Sequence, residues 1–546
     1  MPFSRLEIPL WQAPLSAIAC GVPVNSPNTI FRLACMALMA AAPVASGAAA
    51  LPAFPRAQGV GAMATGGARN AGKTTEIYHV TNLKDSGPGS FRDAVSKGNR
   101  IVVFDVAGYI DLTPGSAVSA ASDLTIAGES APGQGIAIDG AEVSFTKCHN
   151  VICRNIRFRQ SSRDPNKGKS GIGMDNASDI IMDHVSVEFG KWDNIDCNDS
   201  KDITFQYCFD ADPIGQQFNA HADSAVTWYR NLWSSAHNRN PLAKGNIDFI
   251  NNALYNFQSG LTAHTGGDFT MDIVNNCFVC GPSGKPGTPF FQIGGNIGIY
   301  GKGNCLDTKR DGTLDPKPIG VPGDHKLPAP WDPAVTGSIP TLSAVDAYVE
   351  VVSMAGALPW NRDPVDAQVA GEAISLGRQG RMWKSESETG LPNHGLGVID
   401  PGQAPQDGNG IPDYWKAAIT RGAAGATLDP LGVAPSGYLN IEDYLHFMAI
   451  PHAVTAMNKP VLVDLGRYTT GFRNPVYTVS GGIHGSVSLT QDGHTALFTP
   501  ASNFVGVGGF QFSLPYPDGA TATFAVGICV STVGIPQARP AAKAGF

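Results

Sequence analysis

Side chains suited to binding an acidic group occur close together between residues 237 and 244. The segment reads His237-Asn238-Arg239-Asn240-Pro241-Leu242-Ala243-Lys244. A guanidinium pairs with a carboxylate through a planar fork of donors, and an ammonium binds it as a point charge. Arg239 and Lys244 are therefore each able to bind a carboxylate. His237 and Asn238, directly before Arg239, are predicted as further contacts of the same ligand.

A pair of acidic residues lies further upstream in a β-prone run. Asp179 and Asp183 are four positions apart, and even spacing puts side chains on one face of a strand. Two facing carboxylates repel each other unless a cation or an arginine lies between them. The pair predicts a cation site. The alternative is that one residue is in a turn, or pairs with Lys or Arg.

A short β-prone run followed by a polar residue, often asparagine, recurs from about residue 150 to 304. The runs are Val151–Ile156, Ile180–Val185, Ile203–Cys208, Trp228–Leu232, Phe249–Ala253 and Ile273–Cys277. Their spacing of roughly 21 to 29 residues is that of a solenoid repeat. Each unit is too short to bury its own apolar side, whereas stacked coils bury one continuous core. The repeat predicts an all-β chain that folds mainly as a right-handed parallel β-helix.

The recurring asparagines have a predicted role at the bends between strands. Asparagine tolerates the left-handed backbone region, and its amide can bond nearby backbone groups. In stacked coils the amides of successive turns can also bond one another. We therefore expect an asparagine ladder along the solenoid.

The chain divides into four predicted segments. Residues 1–50 are a targeting segment, residues 58–320 the β-helix, and residues 321–450 a loop-rich extension whose short helices pack on the β-helix. Residues 460–533 alternate short strands with turn signals, among them Asp492-Gly493, which is typical of a hairpin. This last segment predicts a small β-sandwich that resembles the cadherin-like modules of bacterial secreted proteins.

Composition favours a turn-rich β protein. The 546 residues include 64 Gly and 40 Pro, only 15% are charged, and the net charge is -8. This charge gives no electrostatic footprint for nucleic acid, so no such partner is expected. An acidic protein can still carry a basic cleft. An acidic polymer would have to be bound by local Lys and Arg, or through a cation.

The N-terminal region indicates export. Arg32 precedes an apolar run from Leu33 to about Val44 that is followed by small residues, the order found in an export signal. We expect a secreted, extracellular monomer with a bacterial-type signal and no membrane attachment after its removal. Secretion permits disulfides. The eight cysteines beyond residue 50 are expected to be buried thiols, or to include one local disulfide at Cys277-x-x-Cys280.

Three segments resemble the pectate lyases of polysaccharide lyase family 1. They are Gly59 to Val106, the run Asn176-Ala177-Ser178-Asp179-Ile180-Ile181-Met182-Asp183-His184, and the stretch from Tyr229 to Lys244. The resemblance covers roughly residues 58–450 and depends on the order and spacing of these motifs together. It implies a β-helix enzyme that cleaves pectate (polygalacturonate) by β-elimination.

The resemblance also implies roles for individual residues. β-Elimination removes the C5 proton of a uronide, next to its carboxylate, and a cation on that carboxylate stabilises the enolate-like transition state. Arg239 matches the family's base, and Lys244 stands where a second arginine binds a substrate carboxylate. Asp179 and Asp183 match ligands of a Ca²⁺ cofactor. Because a guanidinium keeps its proton up to about pH 12, the base would depend on alkaline conditions and neighbouring positive charge.

The sequence departs from the family pattern at two places. Ser170 stands where the family has a further acidic ligand. Asp164, Glu188 or Asp193 would then have to complete the calcium shell. A further family lysine has no clear match, and Lys169 could offer a fixed positive charge to the substrate carboxylate instead.

Two other functions stay open on the same scaffold. A glycoside hydrolase of the polygalacturonase type would need paired carboxylates, for which the candidates are Asp179, Asp183, Asp193 and Asp196. A non-catalytic carbohydrate-binding β-helix or adhesin would need no base. The unmatched lysine favours that reading, whereas Arg239 and Asp183 argue against it.

Overall fold

The computed structural model describes residues 51–222, 225–263, 268–283, 287–393, 395 and 409–533. The predicted targeting segment at residues 1–50 lies outside them. In chain order the strands of the first part are β1 (Glu76–Val80), β2 (Arg100–Phe104), β3 (Gly108–Asp111), β4 (Val118–Ser119), β5 (Leu124–Ala127), β6 (Ile136–Asp139), β7 (Val143–Ser144), β8 (His149–Arg154), β9 (Arg157–Arg159), β10 (Ile172–Gly173), β11 (Ser178–Asp183), β12 (Ser186–Glu188), β13 (Asp193–Cys197), β14 (Lys201–Gln206), β15 (Phe209–Ala211), β16 (Phe218–Ala222), β17 (Val226–Tyr229), β18 (Leu232–Ser234), β19 (Leu242–Ala243), β20 (Ile247–Ile250), β21 (Ala253–Tyr255), β22 (Ser259–Thr262), β23 (Thr270–Val274), β24 (Cys277–Val279), β25 (Thr288–Phe291), β26 (Gly298–Lys302), β27 (Cys305–Asp307) and β28 (Lys317–Pro318). The C-terminal strands are β29 (His452–Ala456), β30 (Val461–Asp464), β31 (Thr478–Ile483), β32 (Gly485–Leu489), β33 (Thr495–Pro500), β34 (Gly506–Pro515) and β35 (Thr521–Ser531). The α-helices are α1 (Phe91–Ala94), α2 (Pro333–Thr336), α3 (Ala344–Met354), α4 (Pro364–Ile374), α5 (Asp413–Ile419) and α6 (Asn440–Met448).

Strands β1 to β28 form three long sheets that wind into a parallel β-helix. Sheet 1 has the order β1-β2-β5-β8-β11-β14-β17-β20-β23-β26, sheet 2 has β4-β7-β10-β13-β16-β19-β22-β25, and sheet 3 has β3-β6-β9-β12-β15-β18-β21-β24-β27-β28. Each strand pairs in parallel with its equivalent one coil on, as Ile180 does with Ile203 and Ile203 with Val226. The one antiparallel pairing in these sheets is β27 with β28. The predicted parallel β-helix is confirmed.

The bend from sheet 1 to sheet 3 uses two adjacent positions on each coil. The first position is left-handed at His184, Tyr207, Arg230, Asn251 and Asn275, where φ lies between 50° and 56°. The next position carries a buried ladder of Asn231, Asn252, Asn276 and Asn304. Asn252 Oδ1 accepts bonds from the backbone N–H of Asn231 at 2.9 Å and from its amide at 3.1 Å, and Asn276 does the same for Asn252. The ladder thus satisfies buried backbone groups that a bend would otherwise leave unpaired.

Segments that are distant in the sequence pack on the outer faces of sheets 1 and 3. Residues 51–68 pack on sheet 1, with Phe54 and Ala64 against Ile152 and Ile181, and α5 and α6 cover its first strands. Helices α3 and α4 pack on sheet 3. Among the described residues, none of these three apolar clusters includes a strand of sheet 2.

The C-terminal strands form two sheets around an aromatic core. The sheets have the orders β29-β35-β34-β31 and β30-β33-β32, and Phe498, Phe510 and Phe512 lie in the core between them. The sandwich starts before the predicted residue 460, because β29 pairs in parallel with β35. It is joined to the solenoid through buried Glu350 on α3, which accepts hydrogen bonds from Tyr207, Arg230 and Tyr516. Its likeness to cadherin modules stays a prediction.

Two further expectations concern the membrane and the cysteines. In the described part of the chain no helix is both long and apolar enough to cross a bilayer. The eight cysteines beyond residue 50 are all buried free thiols. The structure therefore has the buried thiols, and no disulfide joins Cys277 to Cys280 in it.

Candidate active site

Arg239 lies on the outer face of sheet 2, in the connection that leads from β18 into β19. Its carbonyl accepts a hydrogen bond from Ala220 N–H at 2.9 Å, which extends the sheet beside β16. Its backbone is left-handed, with φ of 60°. Asn238 Oδ1 accepts the Arg239 N–H at 2.6 Å and the Thr262 hydroxyl at 2.8 Å. These bonds fix the backbone from which the Arg239 side chain projects.

The Arg239 guanidinium is held by one carboxylate and two aromatic rings. Arg239 Nη1 donates to both oxygens of Asp193, at 2.8 Å and 3.1 Å. Its guanidinium carbon lies 4.2 Å from the centroid of Phe218 and 5.8 Å from that of Trp192. The side chain keeps 16% of its surface exposed, whereas the Asp193 side chain has none. The guanidinium is thus positioned on its inner side and open to a ligand on its outer side.

Asp193 is a buried carboxylate that pairs with Arg239. Burial raises the pKa of Asp193 to about 8, although the positive charges of Arg239 and Lys244 oppose this rise. Lys244 follows β19 and is half-buried, and its N–H donates to Ala222 O at 2.7 Å. Arg239 therefore pairs directly with Asp193, and the positive charge of Lys244 also acts on this carboxylate.

A second carboxylate and an imidazole complete this acidic centre. Asp193, Asp196 and His221 have ligand atoms that all lie within 4.8 Å of one another. Asp196 and His221 are register partners on β13 and β16, and His221 Nδ1 lies 3.2 Å from Asp196 Oδ1. Asn198 Nδ2 donates to the same Asp196 oxygen at 2.8 Å. His221 Nε2 is buried without a hydrogen-bond partner among the described residues.

The donor set of this centre fits a divalent cation. Two carboxylates supply the hard oxygen ligands that Ca²⁺ takes. An imidazole nitrogen is the ligand type of Mn²⁺, Zn²⁺ and similar ions rather than of calcium. The structure therefore gives an acidic cluster with both oxygen and nitrogen donors for a divalent cation.

Lys169 lies shortly before β10 of sheet 2, one coil before the strand β13 that carries Asp193. Its side chain is 55% exposed and donates to Glu142 Oε1 at 3.2 Å. Glu142 is buried, and burial raises its pKa while the charge of Lys169 opposes the rise. A Cβ on Gly173 would lie 3.2 Å from Glu142 Oε1, so this glycine leaves space for the carboxylate. Glu142 was not apparent from the sequence, since it precedes the recurring motifs.

His237 and Asn238 have different surroundings. His237 is exposed, and its N–H donates to Gln217 O at 2.9 Å. Asn238 Oδ1 accepts the bonds from Arg239 and Thr262 described above. His237 is therefore open to a ligand, whereas Asn238 orients the backbone of Arg239.

Asp179 and Asp183 lie on sheet 1, away from this face. Asp179 is exposed and left-handed, with φ of 55°, and this breaks the alternation that would place both carboxylates on one side. Asp183 is buried and accepts hydrogen bonds from Arg154 Nε at 2.9 Å and Gln206 Nε2 at 2.8 Å. Burial alone would raise the pKa of Asp183, but the charges of His184 and Arg154 hold it well below its ordinary value.

The expectation that Asp179 and Asp183 face one cation together is therefore corrected. The alternative holds for Asp183, which pairs with an arginine. Of the three residues expected to complete a calcium shell, Asp193 is the one beside Arg239. Asp164 accepts a hydrogen bond from Gln160, and Glu188 pairs with Arg159.

Comparison with known proteins gives close relatives over most of the chain. "Probable pectate lyase C" of Aspergillus flavus is 35% identical over 411 residues, which are 72% of this chain and 93% of that protein. The protein of the same name from Aspergillus fumigatus is 34% identical over 430 residues, or 75% of this chain and 97% of its own. No family model matches the chain. Among solved structures, pectate lyase C from Erwinia chrysanthemi at pH 9.5 with 30 mM Ca²⁺ is 17% identical, matches over 54% of this chain and 95% of its own, and has a TM-score of 0.35. The identity to the fungal proteins over nearly their whole length shows that the chain belongs to the pectate lyase family.

Proposed function

We propose that this protein cleaves pectate-like polyuronides by β-elimination at the outer face of sheet 2, with Arg239 as the base. The observation that carries the proposal is the pairing of the partly exposed Arg239 guanidinium with the buried carboxylate of Asp193, which also belongs to the cluster with Asp196 and His221. A base, a cationic partner for a uronate and an acidic centre for a cation then lie on one uncovered face. These are the groups that elimination next to a carboxylate requires.

The side chains divide the reaction between them. Asp193 holds Arg239 Nη1, while Nη2 and Nε have no hydrogen-bond partner among the described residues and can reach a substrate. Lys244 pairs with the uronate carboxylate. At alkaline pH Arg239 first gives a proton to solvent, and its neutral guanidine group then takes the C5 proton. The electron pair of the C5–H bond forms the C4–C5 double bond, and the C4–O4 bond breaks. The departing oxygen takes a proton from solvent.

Asp193, Asp196 and His221 are the residues that would hold a cation. A bound divalent ion supplies positive charge that stabilises the substrate carboxylate as negative charge builds on it. Calcium is the proposed ion, in keeping with the Erwinia protein whose structure was determined with Ca²⁺. The imidazole makes the affinity for Mn²⁺ a point to measure beside it.

The test is the formation of unsaturated uronide from polygalacturonate, followed by its ultraviolet absorbance at alkaline pH. The wild-type protein should form this product, Arg239→Ala should not, and a chelator should suppress the reaction. New reducing ends without the chromophore would show a hydrolase in place of a lyase. Tight polymer binding with neither product would show a carbohydrate-binding protein.

A further inference from the structure

We propose that Trp192 is the platform on which a uronate ring of the substrate stacks beside Arg239. The inference rests on the proposed lyase function and names the surface that orients the sugar. Trp192 directly precedes β13, and 36% of its surface is exposed. An indole offers a large apolar surface of low conformational entropy, which suits the C–H face of a sugar ring.

The backbone that carries Trp192 is fixed from both neighbouring coils. Trp192 N–H donates to Lys169 O at 3.2 Å in the preceding coil. Gln216 N–H donates to Lys191 O at 3.0 Å in the following coil. A Cβ on Gly215 would lie 1.9 Å from Lys191 O, so only glycine allows this approach. A platform ordered in advance loses little entropy when a ligand binds.

The aromatic rings place the platform next to the proposed base. The Trp192 and Phe218 rings meet edge to face, with 6.4 Å between centroids and 89° between planes. The Arg239 guanidinium lies against both rings, nearer to Phe218. A uronate stacked on the exposed indole would direct its edge, which carries the carboxylate and the C5 proton, towards Arg239. The stack would therefore choose which sugar in the polymer reacts.

A purely structural role for Trp192 predicts a different outcome. If the indole only supports Phe218 and Arg239, its loss would lower the melting temperature and kcat and leave KM unchanged. Stacking contributes equally to substrate and transition-state binding, so its loss raises KM with kcat preserved. The split between KM and kcat therefore separates the two roles.

The first experiment compares Trp192→Ala, Trp192→Phe and Trp360→Phe. Trp192→Ala should raise KM for polygalacturonate by roughly 3- to 10-fold with little change in kcat. Trp192→Phe keeps a ring and should restore most of the affinity. Trp360 packs against His452 and Tyr468, each at 6.2 Å between centroids. Its replacement should leave both constants unchanged.

The second experiment follows indole fluorescence during titration with trigalacturonate. The wild type and Trp360→Phe should respond to the ligand, and Trp192→Phe should not. Lyase activity together with a wild-type KM in Trp192→Ala would overturn the inference and leave the proposed function intact. A response lost only in Trp192→Phe, in a protein that forms no unsaturated product, would support the platform and refute the lyase. Neither product nor response in the wild type would refute both.

Discussion

Replacement of Arg239 distinguishes a base from a clamp for the substrate carboxylate. Loss of a general base lowers kcat by typically 10² to 10⁴, a barrier increase of about 3 to 5 kcal/mol. Arg239→Ala should show this loss. Arg239→Lys keeps the positive charge but not the guanidine group. If Arg239 only clamps the substrate carboxylate, activity should survive in this variant, whereas a role as guanidine base predicts that activity is lost. We expect both variants to lose activity at saturating polygalacturonate.

The same replacement has a predictable effect on stability. Burial raises the pKa of Asp193 to about 8 even with Arg239 present. Removal of the guanidinium raises it further, and each additional unit corresponds to about 1.4 kcal/mol between the two protonation states. A raised carboxyl pKa stabilises the fold at low pH, and this stability is lost as pH rises through the folded-state value. The melting temperature of Arg239→Ala should therefore fall further below that of the wild type at pH 9 than at pH 6.

Arg163 supplies a matched control. It pairs with Asp139, another buried carboxylate, whose pKa burial raises to about 7, and it keeps 32% of its side chain exposed. Arg163→Ala should show a similar loss of stability with unchanged kcat, because Asp139 lies on sheet 3. Stopped-assay kinetics and thermal unfolding, measured on the same samples, give both quantities. The reasoning fails if Arg239→Ala keeps a tenth of wild-type kcat, or if Arg163→Ala loses activity as Arg239→Ala does.

Polar groups elsewhere in the β-helix lead to predictions on pH, stability and metal binding. Burial and a neighbouring aspartate raise the pKa of Asp248 to about 7, so stability should fall as pH rises from about 4 to about 7. Asp248→Asn should flatten this dependence in thermal unfolding; an unchanged slope would contradict it. Asn252→Ala removes an acceptor of two Asn231 donors and should cost about 1 to 3 kcal/mol in urea unfolding. A smaller cost would mean that water replaces the amide. Mn²⁺ and Ca²⁺ should each raise the melting temperature of the wild type but not of Asp196→Asn. Calorimetry should show that His221→Ala weakens Mn²⁺ binding more than Ca²⁺ binding; equal losses would exclude the imidazole as a ligand.

The β-helix could be predicted from the sequence because its signal repeats. One coil resembles any short strand pair, whereas six equivalent runs spaced by 21 to 29 residues leave a solenoid as the architecture that buries them all. The asparagines also followed from local chemistry. The sequence did not show that a left-handed position and the ladder position beside it have different roles. The two positions carry Asn-Asn in some coils and Arg-Asn in another.

The roles of Asp179 and Asp183 could not be read from spacing. Alternation along a strand holds only where the backbone is extended, and Asp179 is left-handed. The partner of Asp183 is Arg154, which lies 29 residues away but in the adjacent strand of sheet 1. Phe54 then covers the pair, with its ring centroid 4.1 Å from the Arg154 guanidinium carbon. Contacts of this kind depend on which coil and which sheet each residue joins.

The dependence on coil and sheet also explains why only some residues of the proposed site could be predicted from the sequence. Arg239 and Lys244 are basic residues in one segment, so their part in the site could be predicted from the sequence and the family resemblance. Asp193 and His221 come from the two preceding coils, and equivalent positions on three successive coils stack within about 10 Å because neighbouring strands are about 4.8 Å apart. Once the coils are in register, any polar residue at the start of a sheet 2 strand becomes a candidate for the site. An uncovered sheet face, rather than a motif, is therefore the feature that should be searched for further functional residues in this solenoid.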